Sequence, residues 1–197
     1  SVEEQGHLNY LYEANDEFQV FPTFGTSISL NAIYDHESFA QAITEYGLED
    51  NIIRALHGEQ YMKVCAPIPE SATLVSKTRI LDVLDKGSGA LMIIEVKTYD
   101  QQTNNLIFYN QMSALMLGSE NFGGRRNSDK PEVVDCVPVP NREPDSIVEQ
   151  QTAKDQAALF RLSGDKNPLH IDPMFSIVGG KSSFSTILSR FLLFFAC

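Results

Sequence analysis

The chain has 197 residues, 43% of them hydrophobic and 21% charged, the composition of an ordinary globular protein with room for one large domain or two small ones. Fifteen basic against 26 acidic side chains leave a net charge of −11, which disfavours nucleic acid as a partner and makes any phosphorylated ligand depend on a local basic patch. Cys65, Cys136 and Cys197 lack zinc spacing and read as free thiols of a reducing compartment, the opening residues show no secretory-leader pattern, and the apolar run Phe184–Cys197, interrupted by Arg190, falls short of the roughly 20 residues of a membrane span.

Phe39, Ala42, Ile43 and Tyr46 recur at helical spacing, which predicts a helix over His36–Tyr46 ended by Gly47. The periodicity then changes. Tyr61–Pro67, Thr73–Leu84, Ala90–Tyr99 and Leu106–Leu117 are rich in β-branched, aromatic and aliphatic residues and predict strands. Lys86-Gly87-Ser88-Gly89 and Gln102-Thr103-Asn104-Asn105 join the last three as hairpins. The fold class is therefore α+β, one helix followed by an antiparallel sheet. From Gly118 to Ser146, Gly123-Gly124, prolines and scattered charge mark a crossing linker. Helical spacing resumes over Thr152–Leu162, where Thr152 and Asp155 suit a capping box.

Residues 160–173 carry the chemistry. Asp165 and His170 stand five residues apart, with Gly164 before them and Asn167-Pro168 between, so the path is tight and non-helical. A carboxylate and a neutral imidazole turned toward one point hold a water and move its protons. The same residues also make an ordinary surface turn. Asn167 either orients the water or substrate or serves only the turn before Pro168, and Asp172 caps the segment opened by Pro173. Arg125, Arg126 and Lys130 form the densest basic cluster of an acidic chain, beside Gly123-Gly124; it suits phosphates or is a solvated loop.

The run at 160–173 resembles the signature of the hydratase 2 (MaoC-like) family of (R)-specific 2-enoyl-CoA hydratases. Asn9-Tyr10-Leu11-Tyr12, Phe21-Pro22-Thr23-Phe24-Gly25, Leu56-His57-Gly58-Glu59-Gln60-Tyr61, Asp82–Gly89, Phe122-Gly123-Gly124, Ser128-Asp129-Lys130 and Pro140-Asn141-Arg142 extend the likeness, toward the hydratase region of peroxisomal multifunctional enzymes of type 2. The resemblance implies two hotdog folds, each a sheet around a helix. Residues 1–120 would be the first, 121–145 the linker, and 146–197 the opening of an incomplete catalytic second. It implies hydration of trans-2-enoyl-CoA by Asp165 and His170 in peroxisomal fatty-acid β-oxidation. Residues matching His57, Gly58 and Lys86 would touch the CoA thioester; the basic cluster of Arg125, Arg126 and Lys130, by its own chemistry, suits the CoA phosphates or is a solvated loop. Read without the family, His57 is a core histidine, Gly58 a β-bulge and Lys86 a solvated hairpin charge. The expected partners are the acyl-CoA substrate and a second copy in a homodimer, with no nucleic acid and no metal. Relatives carry fused dehydrogenase and sterol-carrier modules, and no nucleotide cofactor is expected here. Phe195-Ala196-Cys197 is no peroxisomal targeting tripeptide, so localisation rests on the resemblance.

The likeness thins after Pro173. Relatives place an apolar pair and His-Gly where this chain has Ile187-Leu188-Ser189-Arg190, and that Gly would give its backbone N–H to the thioester oxygen. Ser-Arg-Phe encoded TCA-CGG-TTT reads CAC-GGT, His-Gly, one base later. The expectation is a frame-shifted tail from about residue 181, which the transcript would settle. The alternative function is a catalytically inactive fragment that only binds acyl-CoA or a partner chain; a lipid-carrier or thioesterase-like hotdog explains the Asp and His less well.

Overall fold

A computed structural model describes residues 3, 5–34, 37–135, 138, 141–144, 147, 149, 151, 153–162, 164 and 167–178. The chain divides into two compact units, Ser1–Val133 and Val134–Cys197.

The first unit opens with three helices, α1 (Gln5–Leu11), α2 (Phe24–Tyr34) and α3 (Glu37–Glu45). A 3-10 turn over Glu49–Arg54 leads into four strands: β1 (Ala55–Val64), β2 (Leu74–Asp85), β3 (Gly89–Asp100) and β4 (Leu106–Leu117). The strands form one antiparallel sheet in the order β1-β4-β3-β2. The expected helix before the sheet is present as α3, and Gly47 ends it in a left-handed conformation at φ 63°. The helix lying against all four strands is α2, which the sequence pattern did not mark. Its small polar residues explain why. Thr26 and Ser29 are buried, so no polar face alternates with an apolar one. Gly25 lets α2 approach the sheet, because a Cβ there would stand 2.4 Å from the ring of the fully buried Phe108.

Between the helices and the sheet lies the main core, including Ile33 and Leu48 against Met92, Ile94, Val96 and Met116. A smaller cluster of Leu81, Leu84 and Ile93, with Val133 packed on it, occupies the opposite, outer face. Two of the sheet's three register shifts decide which side chains reach which face near the β2–β3 hairpin end. In β2 the register shifts between Ile80 and Asp82, and in β1 between His57 and Glu59. Each adds one residue to its strand and reverses the alternation beyond it. After the first bulge Asp82 stands opposite Ile93 on the outer face. After the second, Glu59 stands opposite Ser113 on that face, while His57, opposite Ala114, keeps to the core side.

In the second unit the described elements are α4 (Gln156–Leu162), a 3-10 turn over Pro168–His170 and α5 (Pro173–Val178). The helix expected from Thr152 is seen from Gln156. Thr152 and its proposed cap, His36, Cys136, and everything from residue 179 on lie outside the described residues. Cys65 is an exposed free thiol. No helix among the described residues is long and apolar enough to cross a membrane.

Candidate active site

His170 sits half-buried at the end of its 3-10 turn, and three local features hold it. Gly164 follows α4 at φ 117°, a conformation that glycine tolerates best. Asn167 then caps the turn, its Oδ1 accepting from the backbone N–H of Leu169 at 3.0 Å, with Pro168 at the first helical position. Leu169 is buried and anchors the turn. Phe160 of α4 meets the His170 imidazole edge-on, ring centroids 5.6 Å apart and planes at 90°. Phe160 heads the run 160–173, and spacing along the chain gives it no role. The aromatic contact fixes the ring plane of His170 from the preceding helix. Asp172 accepts from the Met174 N–H at 2.9 Å, as expected of a cap for α5. Asp165 lies outside the described residues.

In the first unit, His57 and Gly58 lie on the edge strand β1, and Lys86 in the β2–β3 hairpin near the opposite edge. Both groups belong to the same end of the sheet, but three inter-strand gaps, roughly 14 Å, separate their edges. Gly58 is the residue inserted at the β1 bulge. A Cβ there would meet only the Ser113 carbonyl oxygen at 3.4 Å, an ordinary contact, so crowding does not require glycine. Glu59 accepts from Ser113 Oγ at 3.1 Å and ties the bulge to β4.

The basic cluster is folded onto that same hairpin, and its members divide the work. Arg125 reaches Asp82, Nη2 lying 3.2 Å from Oδ2, and pairs also with Asp129. Asp129 holds the Arg125 pKa above its ordinary value, and Arg125 in turn holds the Asp129 carboxyl below the usual carboxylate range. Ser128 Oγ donates to Asp82 Oδ2 at 2.5 Å, and Lys130 Nζ donates to the carbonyl of the bulged Leu81. These contacts lash the segment 119–133 across the outer face. Arg126 and Lys86 are arranged differently. Arg126 Nη1 donates to the Lys86 carbonyl at 2.9 Å, and Lys86 Nζ donates to the Arg126 carbonyl at 2.8 Å. This reciprocal pair sets two cations side by side. Gly87 makes room for it, since its φ is 76° and a Cβ would stand 2.8 Å from the guanidinium. Beneath them Asp85 accepts from the Gly87 N–H at 2.9 Å. That bond, those from Asn121 and Gly123, and the Arg126 charge lower its pKa against a smaller opposing effect of burial.

Comparison with known proteins follows the same division of the chain. Residues 2–118 match the family described as MFE-2 hydratase 2 N-terminal domain, and residues 135–192 match the MaoC like domain. The second match runs past residue 181. The peroxisomal multifunctional enzyme type 2 of Mus musculus is 42% identical over 91% of this chain and 23% of its own length. A probable enoyl-CoA hydratase 2 of Dictyostelium discoideum is 37% identical over 88% of this chain and 57% of its own. Among solved structures, the full-length peroxisomal multifunctional enzyme type 2 from Drosophila melanogaster superposes with a TM-score of 0.69 at 36% identity, over 93% of this chain and 30% of that one. A MaoC-like dehydratase from Phytophthora capsici gives 0.68 at 25% identity, over 94% and 65%. The fold is the MaoC-like hotdog, and the chain spans less than two thirds of the length of each of these relatives.

Proposed function

The chain belongs to the MFE-2 hydratase 2 family, and from that premise we propose that it serves the (R)-specific hydration of trans-2-enoyl-CoA to (3R)-3-hydroxyacyl-CoA. The relatives named as peroxisomal multifunctional enzymes and enoyl-CoA hydratases support this reading, and the word peroxisomal in the former names supports its place in peroxisomal fatty-acid β-oxidation. The observation that carries it is the mounting of His170: a half-buried imidazole on a capped, proline-started turn, its ring plane set by Phe160.

In the proposed reaction His170 and Asp165 share one water. The water oxygen attacks C3 of the polarised enoyl thioester as one of the pair takes its proton, and C2 receives a proton from the same pair. Asn167 spends its Oδ1 on the turn and so places His170 in register, and in this reading it also orients the water or substrate. On the first unit, Gly58 supports close ligand approach, because neither crowding nor a left-handed backbone accounts for glycine there. His57 lies beside it on the core face and serves the acyl thioester in this reading. For the CoA phosphates we assign Lys86 and Arg126, whose side chains bond to backbone carbonyls rather than carboxylates. Arg125 and Lys130 hold the segment onto the sheet and contribute positive potential. A homodimer and peroxisomal residence complete the proposal.

The test is loss of the conjugated enoyl-thioester absorbance, run on this chain and on a version extended by a complete second hotdog. Hydration is expected, with His170→Ala and Asp165→Ala each lowering kcat by about 10²–10⁴-fold, roughly 3–5 kcal/mol of transition-state stabilisation. Lys86→Ala and Arg126→Ala should instead raise KM. Full turnover by both His170→Ala and Asp165→Ala would refute the assignment, and absence of hydration in both wild-type versions would refute the activity.

A further inference from the structure

On the outer face of the sheet, beyond the segment 119–133, whose Glu132 carbonyl accepts from Gln111 in the adjoining row, three lysines fall in one cross-strand row. Lys63 of β1 stands opposite Tyr109 of β4, Tyr109 opposite Lys97 of β3, and Lys97 opposite Lys77 of β2. The next row adds Arg79, opposite Glu95, with Tyr61 at the far edge. Glu95 is the only carboxylate in the two rows. It is buried, and it is already shared by Arg79 Nη2 at 3.0 Å, Lys97 Nζ at 3.2 Å and the Tyr109 hydroxyl at 3.0 Å. Lys77 and Lys63 are exposed. Lys77 lies over the Tyr99 ring and Lys97 over that of Tyr109, at 5.3 and 5.7 Å from the centroids.

A chain of net charge −11 thus concentrates four cations on one face of the sheet, two of them directly opposite each other, a pairing that destabilises a sheet. We propose that this face docks an acidic polypeptide segment lying across the strands. The spacing decides the class of ligand. The row covers three inter-strand gaps, roughly 14 Å, about four residues of extended chain, with its charges spread in a line. A phosphate site needs converging donors, whereas here the charges are spread in a line and the backbone of the two inner strands is committed to the sheet ladders. Carboxylates spaced along a peptide fit the row, and the half-exposed tyrosines offer flat surface between the charges.

The test is fluorescence anisotropy with fluorescein-labelled hexaglutamate at low ionic strength, on the full chain. Binding is expected. It should weaken at least about tenfold in the K63E/K77E variant and steeply with added salt. Hexaglutamine should not bind, and Lys86→Glu should leave hexaglutamate binding unchanged. Lys77→Glu alone should raise the thermal midpoint, by replacing the like-charge pair with Lys97, while weakening the peptide. Failure of wild type to bind hexaglutamate, or equal binding by K63E/K77E, overturns the proposal. So does tighter, Lys63- and Lys77-dependent binding of ADP or inorganic phosphate, which would make the occupant a phosphorylated ligand.

Discussion

Replacing Asp82 by alanine should release the segment that carries the basic cluster while leaving the sheet intact. Asp82 is 8% exposed and faces outward because of the β2 bulge. It accepts from Ser128 Oγ at 2.5 Å and from Arg125 at 3.2 and 3.4 Å. A hydrogen bond to a charged group contributes about 1.5–3 kcal/mol, and the Ser128 bond, made by a buried acceptor, belongs in that range. Arg125 is exposed and keeps Asp129, so its attraction is screened by solvent and stays outside the figure. At the segment a loss of about 1.5–3 kcal/mol corresponds to roughly 10- to 150-fold faster amide exchange, and the Val83 N–H of β2, which donates to Asp82 Oδ1 at 3.0 Å, loses its side-chain acceptor as well. Hydrogen exchange should show it at Asn121, Gly123, Lys130 and Val133, whose amides depend on this docking. The amides of β3 should keep their wild-type protection. Asp82→Asn, which still accepts from Ser128, should fall between. Unchanged exchange in Asp82→Ala would mean that the remaining contacts, Lys130 to the Leu81 carbonyl, the Lys86–Arg126 pair and Val133, hold the segment without Asp82. Equal acceleration throughout β3 would mean that Asp82 supports the whole unit.

Two other substitutions probe the same framework. Asp85 has a lowered pKa because the folded state stabilises its ionised form, chiefly through the Gly87 N–H. Its contribution is therefore fully present above the ordinary carboxylate range and is lost as pH falls through the lowered value. Denaturant titrations of Asp85→Asn should show a deficit against wild type at neutral pH that closes as the solution becomes acidic below about pH 4; a deficit constant with pH would point to lost packing. Gly25→Ala places a Cβ 2.4 Å from the Phe108 ring. Overpacking costs about 1–3 kcal/mol, against up to about 1 kcal/mol gained by alanine in a helix, so a net loss of about 1–2 kcal/mol is expected in urea unfolding. A neutral or stabilised variant would show that Phe108 yields freely.

The four strands were legible because their residues are β-branched and aliphatic and their hairpin turns carry Gly and Asn; the observed β4 has the expected limits, and β2 and β3 differ by a residue at each end. β1 was harder. The sequence places its start at Tyr61, whereas the strand begins at Ala55. The bulge at Gly58 breaks the alternation there, and His, Gly, Glu and Gln carry little strand preference. The helix α2 escaped for a different reason, since a helix buried among sheet residues needs no polar stripe. At the candidate site the turn around Asn167-Pro168 followed from local chemistry. The Phe160–His170 contact did not, because spacing along a chain says nothing of ring geometry across a turn. Least legible was the fate of the basic cluster. Arg125 meets a carboxylate 43 residues earlier, turned outward only by a bulge that no local pattern announces.

That bulge also explains why four cations near one hairpin have unequal roles. With regular alternation after Ile80, Asp82 would face the core, where a carboxylate is costly, and Arg125 and Ser128 would have no outer partner. The inserted Leu81 keeps its own side chain in the outer apolar cluster, turns Asp82 outward, and offers its carbonyl to Lys130. Two of the four cations thereby become fastenings. The fastened segment brings the Arg126 carbonyl within reach of Lys86 and the Arg126 guanidinium within reach of the hairpin backbone. Lys86 and Arg126 are thus placed by bonds to backbone carbonyls, and among the described residues neither forms an ion pair, the nearby Asp85 carboxylate being held chiefly by the Gly87 N–H; such charges suit a phosphate. Neutralising Arg125 or Lys130 changes the position of that pair, whereas neutralising Lys86 or Arg126 changes its charge.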